Sequence, residues 1–212
     1  MSSDSHLQTT RRALHGVAEL VLAGPQHAAT GEIALRVTPG GFATTAGPDI
    51  RVEGTEVHGP GGSAAIAGHT PATLAAAVGV EATTLDHVYS GGPGVDTGEL
   101  LTVDADATAR VADALAVGDA ALRRLAPDEP VVLWPEHFDV AITVAEVNYG
   151  VSPGDGFLAV PYAYVGPWTL PAADDFWDAP FGAARPISEL GDADAVLGFF
   201  VEGRDRLGGA PD

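Results

Sequence analysis

Within Trp134-Pro135-Glu136-His137-Phe138-Asp139 a histidine and an aspartate stand two residues apart. A strand beginning near His137 would turn both to one face and send Val140, Ile142 and Val144 to the other. On a shared face the carboxylate can orient the imidazole for proton transfer, or the two can share a metal ion. His137 is therefore the candidate acid–base group and Asp139 its orienting partner. Glu136, adjacent in sequence, should face away and bond backbone or an arginine. The competing reading is that His137 and Asp139 are half-buried and tie down neighbouring loops, as polar residues beside aromatics commonly do.

Downstream, Asn148-Tyr149-Gly150-Val151-Ser152-Pro153-Gly154-Asp155-Gly156 reads as a loop, with Ser-Pro-Gly-Asp as its turn signal. Amides exposed in such a turn can meet an anion, and Asp155 can cap amides or ligate a cation. Ser152 lacks the G-x-S-x-G elbow of a nucleophilic serine. Tyr162 and Tyr164 should share a strand face, where two phenols beside Trp168 could wall a pocket or be core side chains with hydroxyls reaching the surface. The expected ligand contacts are Trp134, Asn148, Ser152, Asp155, Tyr162 and Tyr164, and the metal candidates are His137, Asp139 and Asp155. His27, His58, His69 and His87 show no ligand spacing. His15 reads as a surface or packing residue.

Composition narrows the chemistry. The 212 residues contain no Cys, which removes thiolate catalysis and thiolate metal sites. All ten basic residues are Arg, so Schiff-base and P-loop lysines are absent. No nucleotide motif is present, and the cofactor is unknown. A formal net charge of −19 repels phosphate backbones and anionic lipid, so nucleic acid and membrane partners are not expected. The expected function is a small-molecule-binding protein or enzyme with its pocket around residues 134–168, the alternative being a non-catalytic structural or protein-interaction domain whose motif residues stabilise the fold. No segment reaches the roughly 20 apolar residues of a membrane span, and the N-terminus lacks the order of a signal peptide, so a cytoplasmic protein is expected.

These residues need elements to position them. Leu14, Val17, Leu20 and Val21 predict a helix over 9–23 with Thr10 as its cap. Short strands at Glu32–Thr38, Phe42–Thr45, Ile50–Glu53 and Glu56–His58, divided by Gly and Pro turns, predict an antiparallel meander. Thr70-Pro71 opens a helix to Val78, and Asp86–Tyr89 reads as a short strand. Asp104 caps the longest helix, 105–125, whose Val111, Leu115, Leu122 and Leu125 form one apolar stripe. Strands at Val131–Leu133, Phe138–Val147 and Phe157–Val165 and a last helix at 193–207 follow. The expected fold is a single α+β domain over residues 9–208, a mostly antiparallel sheet against the long central helix and the C-terminal helix, with flexible tails at 1–8 and 209–212.

The run W-P-E-H-F-D, N-Y-G-V-S-P-G-D, P-Y-A-Y-V-G-P-W resembles the signature of a mainly actinobacterial family classed as a domain of unknown function. The resemblance is clear over Leu133–Trp168 and fainter over Glu32–Glu53 and the last helix. It implies a shared fold and a shared site at His137-Phe138-Asp139 and Ser152-Pro153-Gly154-Asp155, with no activity attached.

Overall fold

Helix α1 (Ser3–Val17) begins well before the expected Thr9 because Leu7 is fully buried. Residues 3–8 are therefore helix rather than tail, and Thr10 lies inside the helix, its hydroxyl accepting the Asp104 N–H at 2.9 Å. The computed structural model describes residues 3–208, and of Ser3 and Asp4 the backbone alone; the expected tail at 209–212 lies outside the described residues.

After Val17 the helix widens into a π-helix, Ala18–Ala23, with all six residues buried. The Leu20 carbonyl there accepts the N–H of Thr83 at 3.0 Å. Helix α2 (Gly24–Thr30) follows and stops at Gly31, which is left-handed at φ +79°. A Cβ on Gly24 would stand 2.0 Å from the Thr83 carbonyl oxygen, so glycine permits this approach.

By internal packing the chain forms two compact units, Met1–Asp113 with Leu133–Phe138, and Ala114–Val132 with Asp139–Asp212. In the first, strands β1 (Leu35–Thr38), β2 (Gly41–Thr44), β3 (Arg51–Glu53), β4 (Glu56–Gly59) and β5 (Gly62–Ala65) form the expected meander, with β5 as an added strand. Helix α3 (Pro71–Ala77) carries a capping box between Thr70 and Thr73. Residues 86–88 form a turn rather than a strand, with the Val88 and Tyr89 amides both on the Leu85 carbonyl. Helix α4 (Ala105–Leu125) runs through both units; Asp104 caps it by accepting the Ala107 N–H at 2.9 Å. Strand β6 (Val132–Trp134) sets its Leu133 opposite Leu35 of β1, giving the order β6-β1-β2-β3-β4-β5.

The second unit holds strands β7 (Asp139–Val144), β8 (Val147–Ser152), β9 (Tyr162–Pro167) and β10 (Ala183–Pro186) in the order β10-β9-β8-β7, every neighbour antiparallel. Ala145 and Glu146, at φ +50° and +63°, make the tight turn that ends β7 and starts β8. The expected single strand Phe138–Val147 is thus two strands, and Asn148–Ser152, read as loop, is strand. Strand β9 starts at Tyr162, so Phe157–Pro161 stays outside it. Helices α5 (Ile187–Leu190) and α6 (Ala193–Arg206) complete the unit, α6 capped by Asp192 on the Ala195 N–H.

Both long helices reach this sheet through glycine. A Cβ on Gly118 of α4 would lie 2.7 Å from Val140 and Val151 side-chain atoms, and one on Gly203 of α6 would lie 2.9 Å from Val165. Each of these valines is fully buried, which contributes about 1.5–3 kcal/mol per side chain. The α+β architecture with an antiparallel sheet, the long helix and the C-terminal helix is the one expected.

Candidate functional site

His137 does not share a strand face with Asp139. Residues 135–138 form a turn closed by the Phe138 N–H on the Trp134 carbonyl at 2.8 Å, with Phe138 left-handed at φ +54°. Strand β7 therefore starts at Asp139, and the alternation that would have paired the two residues never reaches back to His137. The imidazole is exposed, with Nε2 3.9 Å from the Glu136 carboxylate. Trp134, in the same first-unit segment, is also exposed. Asn148 is half-buried, and its side-chain oxygen accepts the Thr143 hydroxyl across β7 and β8 at 2.8 Å.

The other expected residues do come together, all in the second unit. The Tyr162 hydroxyl donates to Asp155 Oδ2 at 2.6 Å, and the Tyr164 hydroxyl donates to Asp139 Oδ2. Ser152, almost wholly buried, accepts the Gly154 N–H at 3.1 Å and hydrogen-bonds Tyr162. Asp155 Oδ1 accepts the amides of Phe157 and Leu158 at 2.8 and 3.1 Å, which folds the Ser152–Tyr162 connection onto the strands. Phe157 and Phe181 pack edge-on over the two tyrosine rings. Tyr164 lies across Gly150, where a Cβ would come within 2.5 Å of its phenol.

Burial first, and then the aspartates, push both phenols above their ordinary value. Tyr162 and Tyr164 are thus neutral donors at any physiological pH, and neither can serve as a base. Every bond named in this cluster closes the chain on itself. Its arrangement is that of a staple.

A different constellation surrounds the Trp134–Phe138 turn in the first unit. His15 of α1 stacks on Phe138, with ring centroids 5.3 Å apart and planes 14° apart. Its Nε2–H donates to the Pro135 carbonyl at 2.8 Å. Burial pushes the imidazole down to about 4, so it is neutral at pH 7. One turn on, in the π-helix, stands Glu19, only 6% exposed. Tyr89 donates its hydroxyl to Glu19 Oε2 at 3.1 Å. Gly92 packs against the same carboxyl so closely that a Cβ there would fall 2.1 Å from Oε2.

Burial raises the Glu19 carboxyl above the usual carboxylate range; the Tyr89 bond pulls it partly back, and Asp86 adds to the rise. Tyr89 is raised too, by burial and then by the negative charges of Glu19, Glu136 and Asp86. The Glu19 carboxyl is thus lifted above its ordinary value beside a phenol that stays neutral.

Residue types and spacing assign no site role to Glu19, Tyr89 or His15; His15, expected as a surface or packing residue, packs on Phe138. One signal was present: Glu19 is the lone charge in Gly16-Val17-Ala18-Glu19-Leu20-Val21-Leu22-Ala23. Such a charge must find a partner or be held for use. Among the described residues no group of three or more His, Asp or Glu stands close enough to hold a metal ion. No family model, curated protein or solved structure matches the chain.

Proposed function

We propose that this protein binds a small molecule in its first unit, where the Glu19 carboxyl gives and takes a proton. The observation that carries this reading is the placement of Glu19: an almost fully buried carboxyl on a π-helix, bonded to a phenol and facing Gly92. π-Helical segments recur at functional sites because they re-aim side chains at the expense of regular hydrogen bonding. Glu19 is the acid–base group, Tyr89 orients it, and the Trp134–Phe138 turn, held by His15, brings Glu136 near.

The Asp139–Tyr164 and Asp155–Tyr162 pairs hold the second unit together, which is the role their internal bonding supports. The motif run from Trp134 to Trp168 is then divided in purpose, its first five residues beside the site and the rest in the staple. Two further parts of the reading rest on charge and composition. The net charge of −19 disfavours nucleic acid as a partner, and the chain is assigned to the cytoplasm. No described helix is long and apolar enough to cross a membrane. Kinship with the actinobacterial family of the W-P-E-H-F-D signature is part of the proposal, supported by the three intact motif segments.

Ligand-observed NMR of a library of neutral and cationic small molecules tests it, run on the native protein and on Glu19→Gln and Asp155→Asn variants. Compounds that bind the native protein and the Asp155 variant but not the Glu19 variant are expected. Binding that ignores Glu19, or none at all across the library, refutes the reading.

A further inference from the structure

The second unit contains a cavity of about 290 Å³ on the side where α5, α6 and β10 meet the 174–178 segment. That volume is at the small end for ligand sites. Phe176 and Phe199 supply its apolar surface; both are buried, with ring centroids 5.3 Å apart. Asp175 and Glu202 line it as acids, Arg185 and Arg206 as bases.

The two arginines are held differently. Arg185 Nη1 donates to both oxygens of Asp178 at 2.9 Å and to the Ala184 carbonyl at 2.6 Å. Its Nη2 donates to the carbonyls of Asp175 and Phe176 at 3.0 and 3.4 Å. That guanidinium tethers the 174–178 segment and is committed to it. Arg206 sits 4.7 Å from the centre of the Phe176 ring and bonds Glu202, one turn back on α6, at 2.7 and 2.9 Å. Its remaining ion pair, with Asp174, is long at 3.5 Å, and the side chain is 42% exposed. An i,i+4 pair of this kind at a surface is weak and exchanges readily.

Arg206 is thus a cation of the chain itself resting in a cleft built of aromatic faces and acids. Asp175 and Glu202 balance Arg185 and Arg206 in the lining, and Asp174 and Asp178 pair with Arg206 and Arg185 beside it, so the cluster as a whole holds four carboxylates to two guanidiniums. The geometry points to a binding site for a small organic cation, an amine or guanidinium, which takes the place of the Arg206 head group on Phe176 and Glu202. The acid bonds the N–H groups, the ring faces the cationic carbon or nitrogen, and Arg206 swings out to solvent. The overall negative charge of the protein draws such a ligand in and repels an anion. This site is separate from Glu19, and neither proposal depends on the other.

Agmatine, which carries both cationic groups, is the probe, and malonate the anionic control, each titrated into the full-length protein and followed by backbone amide NMR. Agmatine is expected to shift the amides of Leu190, Phe199 and Glu202 saturably, with malonate inert. Glu202→Gln should weaken agmatine by about tenfold, the loss of one charged hydrogen-bond partner. Arg206→Ala should tighten it by roughly threefold, because the internal competitor is gone. Asp175→Asn, which leaves the Arg206–Glu202 pair intact, should weaken it as well, and retained native spectra exclude unfolding as the cause. The proposal is overturned if malonate binds in preference, if agmatine binds neither the native protein nor the Arg206 variant, or if Arg206→Ala weakens binding.

Discussion

The protein contains the same chemical pair, a tyrosine hydroxyl on a carboxylate, in two settings, exposed at Asp155 and buried at Glu19. In the second unit Asp155 accepts Tyr162 on one oxygen and two backbone amides on the other, so the carboxylate is saturated by groups that the fold must satisfy anyway. In the first unit Glu19 accepts Tyr89 from within a π-helix, against the bare backbone of Gly92 and in the field of Asp86. Backbone donors turn an acid into a structural member. Their replacement by a glycine contact leaves an acid whose charge is held at a cost to stability, as sites kept for function commonly are. The staple and the site differ in this respect more than in residue type.

The largest effect expected is on the first unit and depends on pH. His15 takes a proton near 6.5 in the unfolded chain but only near 4 in the fold. As pH falls the unfolded chain therefore gains its proton first, and stability present above pH 6.5 is lost between there and pH 4. The loss amounts to as much as about 3 kcal/mol for a shift of this size. His15→Phe keeps a ring against Phe138 and removes the titration; urea unfolding of this variant should show a flatter profile over that window. An unchanged slope would show that the imidazole is more open to solvent than its stacking implies.

Next in size is Asp155→Asn. The amide nitrogen meets groups that are themselves donors, and the lost bonds should reduce stability by about 2 kcal/mol in urea unfolding. Tyr162→Phe removes one of those bonds and should cost about 1 kcal/mol by the same measurement. If both substitutions leave the midpoint unmoved, the pair is not a staple and the contrast between the units collapses. Smallest in stability, but the sharpest on chemistry, is Tyr89→Phe. The phenol is what draws the Glu19 carboxyl down, so its removal should move the Glu19 titration further up, read from the carboxyl 13C shift. A downward move would reverse the assignment of donor and acceptor.

The parts of this fold that the sequence made legible are those with a side-chain signal. Asp104 and Thr70 sit at helix starts with the capping bonds their types predict, and the stripe of α4 is apolar at helical spacing. Two left-handed stretches went unread because the residues carry no mark of them. Phe138 and the Ala145-Glu146 pair adopt positive φ with no Gly, Asn or Asp to announce it, against a cost of about 1–2 kcal/mol per residue. These are the positions that detach His137 from Asp139 and turn Asn148–Ser152 into a strand. The π-helix is equally silent, since an extra residue per turn leaves no mark in the run Val17–Ala23, apolar but for Glu19. Spacing on β9 placed Tyr162 and Tyr164 on one face but carried no sign of their Asp155 and Asp139 partners, while Glu19 was visible only as a charge in an apolar run.

Equilibrium urea unfolding of Glu19→Gln beside Asp155→Asn at pH 8 tests the central contrast most directly. Folding raises the Glu19 carboxyl, so the folded protein holds its proton to higher pH than the unfolded chain does, and stability falls as pH rises through that interval. The amide escapes this fall. The account predicts that Glu19→Gln is as stable as the native protein or more so, by about 1 kcal/mol, with the advantage fading as pH drops below the ordinary carboxylate range, while Asp155→Asn is destabilised. A Glu19→Gln variant that loses as much stability as Asp155→Asn would make Glu19 a second staple and contradict the account.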